Sequence, residues 1–277
     1  MLLTTDYIEP AELTGYARTA LQDLEQNQFT LSQFLPSVPV DDLQYRFTRG
    51  GQGLAEAATY RSFDAEASIA SRPGVTRVSG DLPPVSRKIK LSEYDRLRQR
   101  QLDSAVTEAI FDDTDRMVRA VAARIELARG SALSSGAVTM NEDGVIGTVD
   151  FGRRSAHTNV APANLWSNPV TATPIADLIA WRRTYRANNG GTNPGAILTS
   201  ETQLANILRS AEVRNLVAVG GTAPSIVAPA ALATLLASYN LPPIVVNDAQ
   251  INVQNTSTGV VTAQRVIPES NVLLLPA

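Results

Sequence analysis

Few side chains in this sequence are of the types that catalyse reactions or bind metals. The 277 residues contain no cysteine and a single histidine, His157. Without thiols the chain has no disulfide, thiolate metal site or cysteine nucleophile, and one imidazole permits at most one Ser-His-Asp triad. His157 follows the polar run 152–156 (GRRSA), and the chain lacks a G-x-S-x-G motif. We therefore predict that His157 is solvated and has no catalytic role.

Three acidic residues, Asp112, Asp113 and Asp115, lie close together in a predicted helix. A cation site needs oxygens that converge on one point, but consecutive helical positions are rotated by about 100° from each other. Spacings of four residues instead favour ion pairs along the helix surface. The two predicted pairs are Asp112 with Arg116 and Asp115 with Arg119. This pattern indicates a charged helix face and no metal site.

The sharpest charge feature is a basic cluster within residues 87–100. It consists of Arg87, Lys88, Lys90, Arg96, Arg98 and Arg100, with two acidic residues between them. The chain as a whole has a net charge of −3, which gives no global electrostatic reason to bind nucleic acid. We therefore predict that this cluster contacts an acidic patch of another subunit, with nucleic acid as the alternative partner.

The composition predicts a folded protein without a targeting or membrane-spanning segment. Hydrophobic residues make up 44% and charged residues 18% of the chain, proportions typical of globular domains. No apolar run approaches the ~20 residues that cross a bilayer, and the N-terminus lacks the basic and apolar regions of a signal peptide. We expect a soluble protein that is made in the cytoplasm and needs no cofactor.

The first 42 residues are predicted to form an arm rather than a domain. A helical pattern begins at Pro10. Phe29 and Phe34 follow it, before two prolines interrupt the chain. The segment has apolar side chains but is too short to bury them by itself. It must therefore lie against the body of its own chain or against a neighbour.

Residues 43–91 are predicted to form an extended two-stranded β loop. Tyr45 and Phe47 alternate with polar residues in the first strand, and Tyr60 and Phe63 lie in a predicted second strand. The glycine-rich run after the first strand lacks the third glycine and the lysine of phosphate-binding loops, so we interpret it as a flexible turn. A lone two-stranded hairpin is marginally stable in water, which points to a partner subunit.

The rest of the chain mixes helices and strands, which makes the fold class α+β. Its strongest pattern is an amphipathic helix at 103–129, closed by Gly130. A hairpin that turns at Asp143-Gly144 follows. A second helix is predicted with Thr173 as its cap and Pro174 at its first position. Further strands are predicted at 195–199, 243–247, 260–263 and 272–275, and further helices at 200–208 and 230–239.

The order of these elements resembles that of tailed-phage major capsid proteins with the Hong Kong 97-type fold. Three stretches carry the resemblance. They are residues 174–201, which run from PIADLI to GAILTSE, residues 236–247 (LASYNLPPIVVN), and residues 82–90 (LPPVSRKIK), which lead into a helix. The nearest variants are the phage major capsid protein E group and the encapsulin shells.

The resemblance implies an N-terminal arm, an extended β loop, a long spine helix in a peripheral domain, and an axial domain. These correspond to residues 1–42 (arm), 43–91 (β loop), 92–191 (peripheral domain, spine helix 103–129), 192–268 (axial domain) and 269–277 (return to the peripheral domain). In family members the end of the chain usually returns to the peripheral domain with further strands. The domain is therefore either completed more briefly here, or part of the natural C-terminus is missing.

The implied function is that of a structural capsid protein and not of an enzyme. Copies would self-assemble into hexamers and pentamers of an icosahedral shell enclosing double-stranded DNA, which they would contact non-specifically. Assembly would take place in the host bacterial cytoplasm, without a membrane, and the protein would reside in the virion capsid with portal, scaffold and decoration proteins as further partners. The candidate intersubunit contacts are Arg87, Lys88, Lys90, Arg96, Arg98, Arg100, Tyr45, Phe47, Tyr60, Phe63, Phe29 and Phe34.

Two alternative functions remain open at this level. An encapsulin-like compartment would use the same fold to hold a cargo enzyme. A monomeric enzyme, which belongs to a different class of function, would be compact and would have a pocket built around His157. Some relatives carry a cross-linking lysine where Lys88 and Lys90 stand, but the sequence has no matching partner signature, so we predict no covalent cross-link.

Overall fold

The computed structural model describes residues 8–50, 57–66, 74–89, 103–142, 144–158, 160–218, 221–255 and 258–277. Its helices are α1 (Pro10–Asn27), α2 (Asp103–Ser135), α3 (Pro174–Asn188), α4 (Glu201–Arg209), α5 (Ala211–Val217) and α6 (Pro229–Ser238). Its strands are β1 (Gln44–Gly50), β2 (Val75–Asp81), β3 (Ala137–Glu142), β4 (Val145–Asp150), β5 (Ala196–Thr199), β6 (Ile244–Val246), β7 (Gln250–Gln254), β8 (Val261–Arg265) and β9 (Val272–Leu275). Short 3-10 turns lie at Thr30–Gln33 and Ser155–His157.

The chain divides into two compact units, each made of several segments. Unit 1 comprises Met1–Val40, Pro83–Ser131 and Ala249–Val266, and unit 2 comprises Asp41–Leu82, Ala132–Asp248 and Ile267–Ala277. This division differs from the predicted boundaries, because residues 249–266 separate from the rest of the predicted axial domain. In the described part of the chain, no helix is both long and apolar enough to span a lipid bilayer.

Unit 1 is built on α2, against which the N-terminal segment packs. Leu24 and Phe29 are buried together with Ala122 of α2, and Ile251 of β7 packs on the same cluster. Strands β7 and β8 form an antiparallel two-stranded sheet. Of the two surfaces predicted for the arm, its own body is therefore the one that receives these apolar side chains.

Helix α2 is longer than predicted and ends at a different glycine. It passes through Gly130, the predicted stop, and continues to Ser135. Gly136 follows it with a φ of 75°, the left-handed conformation that ends many helices, and its N–H donates to the carbonyl of Ala132 at 3.0 Å. A Cβ atom at Gly130 would overlap the backbone oxygen of Val266. Gly130 is thus required for close packing and not for termination.

Unit 2 contains two hairpins, one of which corrects a prediction. Strand β1 pairs antiparallel with β2, from Gln44 opposite Asp81 to Gly50 opposite Val75. The predicted second strand at 58–63 was wrong, because residues 57–66 are neither helix nor strand. Strand β2, and not residues 58–63, is the hydrogen-bonded partner of β1. Its side chains alternate in the same way as those of β1. The hairpin β3–β4 confirms the predicted tight turn, which carries Gly144 with a φ of 85°.

The core of unit 2 surrounds a three-stranded sheet in the order β6-β5-β9. Central strand β5 is buried along its whole length, parallel to β6 and antiparallel to β9. Strand β9 lies in the predicted return segment 269–277 and pairs with β5, and the assignment of this segment to the peripheral domain stays a prediction. The fully buried side chains around the sheet include Ile175, Leu178, Ile197, Ile207 and Val213.

Helix α3 begins at Pro174 as predicted, but its first turn is capped differently. The side chain of Thr173 makes no cap hydrogen bond. Instead, the carboxylate of Glu212 in α5 accepts hydrogen bonds from the backbone N–H groups of Ile175 (2.7 Å) and Ala176 (3.2 Å). A distant carboxylate therefore satisfies two of the free N–H groups that every helix start presents.

Candidate assembly interface

Aromatic and ionic contacts anchor strand β1 of the β1–β2 hairpin to the end of strand β4. The ring of Phe47 stacks between Tyr45, at 6.1 Å between centroids, and Phe151, at 5.8 Å. The Arg49 guanidinium donates to the Asp150 carboxylate at 2.6 Å. Tyr45 and Phe47, two predicted contact residues, are half-buried by these neighbours. They position the hairpin and leave only part of their surface for a partner.

The aromatic turn, which we define as residues 57–66, presents the other two aromatic side chains of the predicted loop to solvent. Tyr60 and Phe63 have relative exposures of 106% and 99%. The Arg61 guanidinium donates to the carbonyl of Ala65 at 2.8 Å, and Asp64 has a φ of 62°. These features hold the turn in shape while its rings face water. Exposed aromatic side chains of this kind are typical anchors of protein interfaces.

The predicted arm residues Phe29 and Phe34 differ in how much surface they leave available. Phe29 is 4% exposed and belongs to the core of unit 1, whereas Phe34 is half-buried. The surface of Phe29 is therefore covered by its own chain, and we do not retain it as an intersubunit contact. Phe34 keeps part of its ring accessible.

A buried charged network, which the sequence analysis missed, fastens the arm to helix α2. The Glu126 carboxylate is fully buried and accepts hydrogen bonds from the N–H of Leu31 (2.9 Å) and from Arg129 (3.3 Å). Arg129 also donates to Glu25 at 3.0 Å and to the Ser37 hydroxyl at 2.9 Å. Burial raises the pKa of Glu126, although the Leu31 N–H and Arg129 oppose this shift. The only local signal was an acid and a base three residues apart in an amphipathic helix.

The acidic residues of α2 form contacts other than the predicted ones. Arg116 pairs with Asp113 at 3.5 Å instead of with Asp112. Asp115 accepts a hydrogen bond from the hydroxyl of Tyr16 at 2.9 Å, which raises the pKa of that tyrosine. The hydrogen bond from Tyr16 to Asp115 joins α1 to α2 within unit 1. Among the residues that the structure describes, no group of acidic or histidine side chains could hold a metal ion.

Only part of the predicted basic cluster can be located. Arg87 and Lys88 are exposed and lie outside regular secondary structure. Lys90, Arg96, Arg98 and Arg100 lie outside the described residues, as does most of the glycine-rich run after β1. The proposed role of the cluster in contacting another subunit therefore remains a prediction.

Arg153, which was predicted to lie in a polar loop, caps the C-terminal end of helix α2. Its guanidinium donates to the carbonyls of Ala132 (2.9 Å), Leu133 (2.5 Å) and Ser134 (3.0 Å). Burial lowers the pKa of Arg153. The planar guanidinium satisfies several carbonyls that the last helical turn would otherwise leave without donors.

His157 is half-buried and lines a cavity in unit 2, which corrects the prediction that it is solvated. Its ring stacks on Tyr185 at 6.2 Å, and its Nε2 lies 3.0 Å from the side-chain amide of Asn188. The cavity has a volume of about 640 Å³ and is also lined by Trp166 and Trp181. Burial raises the pKa of Tyr185. The partner of this ring nitrogen is thus an amide and not the hydroxyl of a nucleophile.

The chain is similar to a known protein family and to solved structures. The family model described as phage major capsid protein E matches residues 12–277. A phage-related protein from Bordetella bronchiseptica RB50 has a similar fold, with a TM-score of 0.56 and 13% identity over 90% of this chain and 72% of that chain. A prophage protein from E. coli CFT073, assigned as a capsid protein, gives a TM-score of 0.49 and 10% identity over 95% of this chain and 78% of that chain. A search of curated proteins gave no match. The match along nearly the whole sequence shows that the chain belongs to the phage major capsid protein E family, a family of structural capsid proteins and not of enzymes.

Proposed function

We propose that copies of this chain assemble into hexamers and pentamers of an icosahedral shell that encloses double-stranded DNA. The observation that carries the proposal is the aromatic turn, whose Tyr60 and Phe63 are fully exposed in the isolated chain. Exposed rings on a preformed turn are costly for a protein that stays alone in water, because their apolar surface is left hydrated. A neighbouring copy in a shell would cover them.

The separate hairpins of the described chain support the same conclusion. The pairs β1–β2, β3–β4 and β7–β8 each form their own two-stranded sheet. Several apolar side chains on these hairpins are exposed, among them Val75, Ile146 and Val261. A two-stranded sheet gains little stability alone and leaves free strand edges. Lateral packing of subunits would bury these faces.

The order of elements fits the Hong Kong 97-type arrangement that the resemblance implies. In this proposal α2 is the spine helix, and its 33 residues reach about 50 Å at 1.5 Å per residue. The N-terminal segment is the arm, β1 and β2 with the aromatic turn form the extended loop, and the sheet β6-β5-β9 belongs to the axial domain. Arg87 and Lys88 would meet carboxylates of a neighbour.

The proposed location is the virion capsid, after assembly in the host bacterial cytoplasm. Portal, scaffold and decoration proteins would be additional partners. The net charge of −3 supports a weak, non-specific contact with the packaged DNA, because tight binding to the phosphate backbone relies on many basic side chains.

Sedimentation velocity of the purified chain over a range of concentrations tests the proposal. We expect large closed particles in equilibrium with small oligomers, with the particle fraction rising steeply above a threshold concentration. A single species with the sedimentation coefficient of a 277-residue monomer at every concentration would overturn it.

A further inference from the structure

One dipeptide of the chain is of a type that changes chemically without an enzyme. Asn189 is followed by Gly190, and this is the only Asn-Gly pair in the sequence. It lies where helix α3 ends, and both residues are exposed. The Gly190 N–H donates to no group among the described residues. Because glycine also has no Cβ atom beside its nitrogen, this nitrogen is an unhindered nucleophile.

The reaction open to this pair exchanges an amide for an acid. The Gly190 nitrogen, after loss of its proton, attacks the side-chain amide carbon (Cγ) of Asn189 and forms a cyclic imide. The bond from Cγ to the side-chain nitrogen breaks, and that nitrogen leaves as ammonia with the proton that Gly190 lost. Water then opens the imide at one of its two carbonyls, which yields aspartate or isoaspartate. Water is the only co-reactant, and no oxidation or reduction takes place.

The described turn holds Asn189 in a conformation that prevents this attack. Its ψ is 39°, which in an L residue places the Gly190 nitrogen on the side of the Cα–C bond opposite to the side chain. The side-chain nitrogen of Asn189 donates to the Tyr185 carbonyl at 2.8 Å. The Asn189 carbonyl accepts hydrogen bonds from the hydroxyl (2.7 Å) and the N–H (3.2 Å) of Thr192. The ring can therefore close only after ψ rotates and both bonds from Thr192 break.

This turn can open without disturbing the core of unit 2. Gly190 and Gly191 have φ values of 63° and 85°, and no atom lies within 4 Å of the position of a Cβ at either glycine. Residues 189–193 are exposed, and burial of this segment begins only at Pro194. Segments with exposed hydrogen bonds and few buried contacts open at a small cost in free energy, without global unfolding.

We propose that Asn189 is a site of spontaneous deamidation, and that the hydroxyl of Thr192 limits its rate by holding the turn closed. The inference does not depend on assembly, because all the reacting groups lie within one chain.

Deamidation changes both the charge of the chain and the end of helix α3. Each conversion adds one negative charge to a chain whose net charge is −3. The new carboxylate has no proton to donate to the Tyr185 carbonyl. It also lies at the negative end of the dipole of α3, where an anion is unfavourable. The end of α3 is therefore destabilised as the protein ages.

Peptide mass spectrometry of the full-length protein, incubated at mildly alkaline pH, tests the proposal. Trypsin cleaves after Arg186 and Arg209 and so releases residues 187–209 as one peptide. We expect residue 189 of the wild type to convert steadily to aspartate and isoaspartate. Asn206 in the same peptide is the internal reference and should remain an amide, because isoleucine follows it and it lies within helix α4.

Variants at Thr192 test the role of its hydroxyl. Thr192→Val removes one hydrogen bond, so deamidation of residue 189 should accelerate about fivefold, the factor that corresponds to one ordinary hydrogen bond. Thr192→Ser keeps the hydroxyl and should restore a rate near that of wild type. Thr184→Val is the matched control and should leave the rate unchanged, because the hydroxyl that it removes is bonded to the Ala180 carbonyl within α3.

Wild-type protein in urea provides a measurement that does not rely on any variant. Its turn is open throughout, so residue 189 should deamidate faster than in the folded protein. Isoelectric focusing gives an independent readout, since each converted chain should gain one negative charge.

Three results would overturn the proposal. One is folded wild-type protein in which residue 189 stays an amide until the urea-unfolded chain has fully reacted. Another is a folded and an unfolded chain that react at the same rate. The third is a Thr192→Val variant that has the wild-type urea midpoint and deamidates at the wild-type rate.

Discussion

Glu126 shows how single residues fix the path of the arm. Its carboxylate lies in the interior of unit 1, where it accepts the N–H of Leu31 and pairs with Arg129. Removing two charges from water costs about as much as their attraction returns, so such a pair adds little net stability. It adds specificity, because any other register of the arm would leave a buried charge without partners.

The raised pKa of Glu126 predicts how the stability of the subunit depends on pH. A carboxyl group with a higher pKa in the folded chain favours folding fully below its unfolded pKa, and this contribution is lost as the pH rises through the folded pKa. Glutamine does not titrate, so the Glu126→Gln variant does not lose this contribution to stability as the pH rises. The free energy of unfolding of the variant should therefore improve relative to wild type as the pH rises above about 4.5.

Urea denaturation of unassembled wild type and Glu126→Gln across this pH range measures the difference. At the acidic end both side chains are neutral, so that end is the internal reference. A difference in free energy of unfolding that does not change with pH, or that increasingly favours wild type as the pH rises, would contradict the raised pKa of Glu126.

Glu212 offers a second test at the scale of one residue. Its carboxylate caps α3 through Ile175 and Ala176. Glu212→Ala should lower the free energy of unfolding by about 0.5–2 kcal/mol, the usual effect of losing a cap. Thr173→Ala is the matched control and should be close to neutral, because that side chain makes no cap hydrogen bond. Thermal denaturation of the two variants compares them, and equal losses would refute this account of the cap.

Sequence reasoning found the start of α3 but not the group that stabilises it. Pro174 is a local signal, since its fixed φ and missing N–H suit the first helical position. Glu212 lies 37 residues away from Ile175, and only the packing of α5 brings the two together. The Leu31 partner of Glu126 and the partners of His157 were not predicted either, because they also come from elements distant in sequence. Local chemistry is readable from the sequence, whereas contacts between elements depend on the tertiary fold.

At the scale of elements, two helical glycines have opposite roles. Gly130 lies in α2, where a Cβ atom would overlap the backbone of Val266, while Gly15 in α1 has nothing within 4 Å of that position. Gly130→Ala should destabilise unit 1 by about 1–3 kcal/mol through overpacking. Gly15→Ala should stabilise it by about 0.5–1 kcal/mol, because alanine favours the helix. Urea midpoints of the two variants should therefore move in opposite directions, and a shift in the same direction would contradict the packing described.

Elements with local signals were predicted well, and strand pairings were not. The hairpin β3–β4 was readable because Asp143-Gly144 specifies a tight turn. The partner of β1 was placed at 58–63 because aromatic residues favour strands, yet β1 pairs with Val75–Asp81. Helix α5 and strand β7 were not predicted. Pairing across long loops depends on packing, which the pattern of a single segment does not contain.

At the scale of the whole molecule, function lies in surfaces rather than in a site. The sequence has little catalytic chemistry, and the order of its elements together with three local stretches carried the resemblance to capsid proteins. The exposed aromatic turn and the separate hairpins give this resemblance a physical basis, since both leave apolar area that a neighbour can bury.

Removing the two exposed rings should separate assembly from folding. In Tyr60→Ser/Phe63→Ser the subunit should keep its wild-type circular dichroism and denaturation midpoint, because neither ring packs within its own chain. Particle formation should fall sharply, as measured by light scattering. A variant that assembles like wild type would show that the aromatic turn is not an assembly surface.

Cryo-electron microscopy of the purified, concentrated protein tests the central claim most directly. The account predicts closed shells with five-fold and six-fold capsomers, in which residues 57–66 of each copy are covered by a neighbouring subunit. Images that show only isolated subunits at high concentration, or shells in which the aromatic turn faces solvent, would contradict it.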